Sequence, residues 1–328
     1  MTLSRRTLGG SLLSGALLPV AGRGARAAET FAATRPVRLL LAFGTGTGAD
    51  VLARELGQRL GAVVGQPVVV ENVTGGTGVV ALRTLARAAP DGHTLFLAAL
   101  GNVVINPMVS AAARGTDALA RPVGQMSDNP HVMLIHGALP VKDVREFVAY
   151  AKARPGEINF ASPGAGGVSH LGAELFQSVA GIQGVHVPYR DGSQLLTDMM
   201  TGRVQAGFMS AGGLMPILAD GKIRALGVTA PTRVPELQSL PVVESQGLTG
   251  FRYSTWYGLY APAATPDGLI GPLNAALRAA LDDEGLRTRL TAQGAELRTG
   301  SAGDLAALME ADARTWRAII QSRGIMAE

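Results

Sequence analysis

The chain has 328 residues, enough for two domains of ordinary size and a substantial core. Hydrophobic residues make up 47% and charged residues 16%, and the 43 glycines, about 13% against a usual ~7%, exclude a disordered chain and point to a globular one rich in tight turns. The absence of cysteine removes disulfides, thiolate metal sites and cysteine nucleophiles, and 29 basic against 25 acidic residues leave a net charge of +4.

Residues 1–27 read as an export address. Arg5 and Arg6 precede an apolar run from Gly9 to Ala21, and Ala25-Arg26-Ala27 is a small-residue cleavage site. The run is too short and glycine-rich to span a bilayer. Paired arginines before it resemble a twin-arginine signal; the general secretory route is the alternative. This segment contributes four arginines and no acid, so its removal leaves 25 basic and 25 acidic residues and a net charge of zero. Any attraction for an acidic ligand must then be local. No later stretch approaches 18 apolar residues without a charge, which predicts a soluble mature protein outside the cytoplasm, in the periplasm.

From Val37 a short apolar run, a glycine turn and an amphipathic helix repeat. Val37 to Phe43 has strand length, Gly44 to Gly48 is a turn, and Leu52, Leu56, Leu60 and Val63 recur at helical spacing behind Asp50, an acid at a helix start. The unit returns as Pro67 to Val70, the turn Thr74 to Gly78 and a helix with Leu82, Leu85 and Ala89 on one face, stopped at Pro90-Asp91-Gly92. A third strand runs from Thr94 to Ala99. Such alternation means βαβ units on a parallel sheet.

The stretch 110–128 is loosely patterned, and a second series follows it. His131 to Ile135 is a strand, Val144, Phe147, Val148 and Ala151 mark a helix, and Ile158 to Ala161 is a strand running into Ser162-Pro163-Gly164-Ala165-Gly166-Gly167. Leu171, Leu175, Phe176 and Val179 form the next helical face, with further strands expected at 186–189, 204–210 and 223–229. A terminal amphipathic helix carries Leu305, Leu308, Met309, Trp316, Ile319 and Ile320, interrupted by Asp312. Five aromatics, Phe251, Tyr253, Trp256, Tyr257 and Tyr260, crowd ten positions. They read either as packed rings of a core strand or as a segment returning from the second lobe to the first, with rings near an interlobe cleft. The fold class is α/β, a two-lobed arrangement of mostly parallel sheets flanked by helices with the ligand cleft between lobes.

Gly44-Thr45-Gly46-Thr47-Gly48-Ala49 satisfies a dinucleotide fingerprint between strand and helix, with Glu71 about 20 residues on. An exported NAD(P)-dependent oxidoreductase is therefore one reading. The physics of the loop is broader: glycine turns at helix N-termini offer free N–H groups and a positive dipole end to any anion, carboxylates included. Turns at 75–78 and 164–167 repeat the placement at carboxyl ends of strands, where open α/β sheets bind ligands. Glycine there also has a purely conformational use, permitting positive φ and close packing. Catalytic sets are missing: there is no Gly-x-Ser-x-Gly, His-Glu-x-x-His, Walker or calcium-loop sequence. The five histidines show no metal-ligand spacing, and His170 alone lies in a helix's first turn beside a glycine loop. Glu174 and Asp198 read as helix-end or solvated acids. No basic stripe interleaved with aromatics suggests nucleic acid.

These residues together resemble a family. Ala42 to Asp50, Val69-Val70-Glu71-Asn72, Thr74 to Gly78, Pro90 to Leu95, Ser162 to Leu171, Val187-Pro188-Tyr189-Arg190, Gly221 to Leu226 and Trp256 to Pro262 occur in the order found in the Bug or TctC-like extracytoplasmic solute receptors of tripartite tricarboxylate transporters. The resemblance covers nearly the whole mature chain. It implies a periplasmic binding protein that closes over a small carboxylate and delivers it to integral membrane permease subunits, without cofactor, metal or catalysis, as a monomer. The ligand classes are di- and tricarboxylates, acidic amino acids and aromatic acids. The implied lobes are 28–128 with 253–328, and 129–252. The implied ligand-binding residues are Phe43, Gly44, Thr45, Gly46, Thr47, Asp50 and Asn102 in the first lobe and Ser162, Gly164, Gly166, His170, Tyr189 and Ser210 in the second. Departures from the family pattern are Ala42 for proline, Gly46-Thr47 for a double glycine, Ala49 for threonine and Asp191 for glycine.

Overall fold

The computed structural model describes Thr2 and residues 30–189, 192–212 and 214–326. The export address, but for Thr2, lies outside the described residues, as do Arg190 and Asp191. Among the described residues no helix is long and apolar enough to cross a membrane.

The first series forms β1 (Val37–Leu41), α1 (Gly48–Val64), β2 (Val68–Asn72), α2 (Val79–Ala86) and β3 (Thr94–Ala99), then a short α3 (Asn106–Val109). β1 pairs in parallel with β2 and β3, as its βαβ spacing implies. Leu52, Leu56, Leu60 and Val64 form the buried face of α1, and Gly65 at φ 77° ends the helix in the left-handed conformation. α2 is shorter than expected. It stops at Ala86, where Arg87 and Ala88 turn back onto Thr84 and Leu85, because Pro90 disfavours helical geometry at Ala89; that residue is exposed.

β4 (Ala120–His136) departs from expectation most. The stretch 110–128, loosely patterned in sequence, contains the first half of a 17-residue strand. Pro122, Gly124, Asn129 and Pro130 lower its strand propensity, but pairing with β9 (Ser254–Pro262) holds the segment extended, with register shifts at Pro122/Gly124 and Gln125/Ser127. Residues 120–130 pair with β9, and His131 to Ile135 pair with β7 (Ala206–Ser210), so one strand runs through both sheets. The second sheet also holds β5 (Ile158–Ser162) and β6 (Gly184–Pro188) in parallel, and β8 (Ile223–Val228) antiparallel to β4. The helices of this half are α4 (Val144–Lys152), α5 (Val168–Ala180), α6 (Gly192–Met200) and α7 (Met215–Leu218). The chain returns along β9 to α8 (Asp267–Leu281), α9 (Glu284–Thr291), the short β10 (Glu296–Leu297) on β4, and α10 (Ala302–Arg323). The strand order is β2-β1-β3-β9-β4-β7-β5-β6; the βαβ strands are parallel, and the crossing strands β4 and β9 pair antiparallel.

β9 explains the aromatic cluster. Trp256 and Tyr260, 1% and 0% exposed, face α10, whereas Tyr257 lies on the opposite face, half-buried. Asp312, the charged interruption of the α10 stripe, accepts a hydrogen bond from Trp256 Nε1 at 2.6 Å. Burial raises its carboxyl's pKa against the lowering effect of that indole bond. Beneath α5, five of the eight phenylalanines (147, 160, 176, 208 and 251) pack together. Phe176 meets Phe251 edge-on at 5.4 Å and Phe208 at 5.6 Å. Truncating it empties the centre of the cluster. Phe176→Ala is expected to cost about 3–5 kcal/mol in urea denaturation; a cost under about 1 kcal/mol would mean the rings are not packed as described.

Candidate functional site

The loop after β1 is held from behind. Gly46, at φ 80°, donates its amide to Asp50 Oδ2 at 2.9 Å, and Thr47 caps α1 by accepting from the Asp50 amide while its hydroxyl donates to the Gly44 carbonyl at 2.8 Å. Asp50 is 3% exposed and accepts further bonds from Asn72 Nδ2 and Arg54. Arg54, the Gly46 amide and Asn72 pull its carboxyl down to about 2. Asn72 Nδ2 also donates to the Phe43 carbonyl at 2.9 Å. Glu71, the acid a dinucleotide fingerprint needs for a ribose, instead accepts both Arg38 bonds at 2.7 Å.

The other glycine turns use the same device. Asn106 Nδ2 donates to the Gly76 carbonyl at 2.8 Å, and Asn102 bridges the Ala99 amide and the Thr77 carbonyl. A Cβ at Gly78 would stand 2.9 Å from Asn102 Nδ2, so the turn closes only around glycine. After β5, the buried Ser162 hydroxyl donates to the Gly164 carbonyl at 2.8 Å and meets His186 Nε2 at 2.7 Å, accepting its proton. Gly166 donates its amide to His170 Nδ1 at 3.0 Å, and the two imidazoles stack with centroids 3.5 Å apart. Burial, then the neighbouring His170, pushes His186 down to about 4, and burial lowers His170 too. Tyr189 is turned away, its hydroxyl donating to Asp198 at 2.9 Å.

A cavity of about 700 Å³ opens between the two halves. Its walls are Phe43 and Thr47 to Ala49 of the first loop with Leu52, then Asn129 of β4, Pro163, Ser210 to Gly212 at the end of β7, Tyr257 of β9, and Ala292 to Ala295 before β10. Of the expected residues, Phe43, Thr47 and Ser210 line it. Gly44, Thr45 and Gly46 form the outer turn of the same loop, and Gly164 and Gly166 follow Pro163. Asp50, Asn102, Ser162, His170 and Tyr189 are buried and bond within their own lobes. Sequence reasoning missed Leu52, Asn129 and the Gly212/Gly294 contact, where a Cβ at Gly294 would lie 2.9 Å from the Gly212 nitrogen. Gly212 had a signal, because it follows a strand as the other glycine turns do. Gly294, from a segment far along the chain, had none.

Among the described residues, no side chain lining the cavity carries a formal charge. What the wall offers is neutral: the Gly48 and Ala49 amides, which have no acceptor among the described residues, the Ser210 hydroxyl, the Asn129 amide and the Tyr257 phenol. Burial raises that phenol to about 12, so it remains a donor at neutral pH.

The model of the family described as "Tripartite tricarboxylate transporter family receptor" matches residues 52–325. A Pseudomonas sp. (strain P51) protein described only by its place in the tcbD-tcbE intergenic region is 30% identical, covering 88% of this chain and 86% of its own. The structure of R. palustris Rpa4515 with adipate is 30% identical, with TM-score 0.76 over 89% of this chain and 98% of that one. MatC from Rhodopseudomonas palustris, with bound malate, is also 30% identical, with TM-score 0.72 over 88% and 99%.

The depressed histidines set a pH window. A folded-state pKa below the unfolded 6.5 means that the unfolded chain binds more protons, so stability is lost as pH falls from about 6.5 through about 4. His131, also held near 4 by burial, adds to the same slope. Urea midpoints against pH should show it, with His186→Gln removing the His186 share; a wild-type midpoint flat over this range would contradict the geometry.

Proposed function

Because the chain belongs to the TctC family of tripartite tricarboxylate transporter receptors, we propose that it captures a small carboxylate between its lobes and delivers it to such a transporter's membrane subunits. The observation that carries this reading is the interlobe cavity, where the first-turn amides of a 17-residue helix open onto a wall that, among the described residues, has no anionic side chain. Those amides and the helix dipole suit a carboxylate oxygen. Relatives of the same fold solved with adipate and malate support the ligand class.

In this reading residues 28–128 and 253–328 form one lobe and 129–252 the other, and closure takes place in the periplasm after removal of residues 1–27. Phe43, Thr47 and Ser210 touch the ligand. The turn 44–46 and the loop carrying Gly164 and Gly166 shape the walls, and Asp50, Asn102, Ser162, His170 and Tyr189 act by holding these segments in place. Closure removes water and strengthens the same amide dipoles. The bidentate hold of Arg38 on Glu71 counts against a dinucleotide enzyme.

Thermal-shift screening of mono-, di- and tricarboxylates should find at least one that raises the melting point, since a ligand of the folded state alone stabilises it. No shift with any of them at millimolar concentration, or a nicotinamide cofactor carried through purification, would sink the proposal. Gly46→Val places a β-branched residue at φ 80°, at a strain of roughly 1–2 kcal/mol, and should weaken binding about tenfold. Ser162→Ala should weaken it without unfolding the chain; unchanged affinities by calorimetry in both variants would remove these loops from the site.

A further inference from the structure

Behind the loop after β5 lies a buried acid, Glu174, that takes no part in the cavity wall. We infer that Glu174 is a positioning residue for that loop: its carboxylate, paired with Arg323 of the terminal helix, holds the His170 ring in the one tautomer that can grip the Gly166 amide. The loop matters to a ligand only under the proposed carboxylate capture, since its Pro163 lines the cavity; the positioning itself does not rest on that reading. The contacts start at the backbone. Gly166, at φ 72°, donates its N–H to His170 Nδ1 at 3.0 Å, so that nitrogen must keep its lone pair. Burial favours the neutral ring, whose proton therefore sits on Nε2. Nε2 faces Glu174 Oε1, one turn on along α5, at 3.8 Å, too long for a hydrogen bond but near enough for the carboxylate to attract the N–H. Moving that proton to Nδ1 would aim a lone pair at the carboxylate and expel the Gly166 amide.

Three elements meet on Glu174. Gln177 of α5, itself buried, donates from Nε2 to Glu174 Oε1 at 3.1 Å and accepts the Gly184 amide at 2.6 Å, where β6 begins. β6 carries His186, whose ring stacks on His170. From α10, Arg323 Nε stands 3.5 Å from Glu174 Oε2. The Glu174 side chain is 12% exposed, and burial pushes its carboxyl up against the opposing pull of Arg323 and Gln177. An acid so buried is costly unless paired, and a position serving packing alone would be apolar, as Leu171 and Leu175 of the same helix are. α10 also holds Trp256 of β9 through Asp312, so the helix that braces the crossing strands reaches the loop after β5 as well.

The test is NMR on the folded protein with no carboxylate added, reading the ring nitrogen shifts of His170 and the hydrogen exchange of the Gly166 amide. The wild type should show His170 protonated on Nε2 and Gly166 protected. Glu174→Ala should move part of the ring population to the Nδ1 tautomer and speed Gly166 exchange about tenfold or more, while the Phe96 amide of β3, in the other sheet, exchanges as before. Arg323→Met, at a partly exposed position, should speed Gly166 exchange several-fold, and Arg323→Lys should keep most of the protection. A wild-type ring protonated on Nδ1, or Gly166 exchange in Glu174→Ala within about twofold of wild type, overturns the inference. Equal loss of protection at Phe96 would be general loosening and overturns it too, and Arg323→Lys as loose as Arg323→Met overturns the part given to α10. Neither measurement involves a ligand, so failure here leaves the proposed capture standing, and an empty ligand screen leaves this inference standing.

Discussion

The Asp50 carboxylate, buried where α1 begins, is the contact on which the first wall of the cleft depends. Its Gly46 bond fixes a backbone turn at positive φ, and Asn72, which it also accepts, reaches on to the Phe43 carbonyl. A charge-assisted bond is about twice as strong as a neutral one, and here it is spent on geometry. Asn102 and Asn106 hold the second glycine turn by the same means, and Ser162, His170 and His186 the third. A surface that recognises through main-chain amides has to keep those amides in place, and flexible glycine segments cannot do so alone. The polar side chains therefore stand behind the loops, leaving the face toward the cavity neutral among the described residues.

Two strands and one helix tie the halves together. β4 changes partner between Pro130 and His131, passing from β9 to β7 without a break, and β9 returns alongside it. α10 lies over β9 through the Trp256–Asp312 bond and reaches α5 through Arg323 and Glu174 at 3.5 Å. Such a frame confines the link between the halves to a few segments. The Gly212/Gly294 approach brings the lobes to backbone contact at one rim, which only residues without side chains permit.

Much of this was legible in the sequence because it is local. Apolar runs of strand length, glycine at the turns, Asp50 at a helix start and the stripe of α10 all express preferences that act within a few residues. The first half of β4 was not, because its prolines and glycine speak for a loop and only the non-local ladder to β9 overrules them. Asp312 likewise reads as a flaw in a stripe until Trp256, 56 residues away, is brought to it.

The cleft divides along the same line. The sequence determined that glycine turns stand at the carboxyl ends of strands and that residues 28–328 have no net charge with which to attract an anion. Tertiary structure alone decided which groups face the cavity. Phe43, Asn129, Pro163, Ser210, Tyr257 and Gln293 come from six separate segments, and whether a residue ends in the wall or behind it depends on how two sheets and their loops pack. That is why Asp50, His170 and Tyr189, conspicuous by chemical type, are buried behind the loops rather than in the wall, and why unremarkable alanines and glycines form so much of the wall.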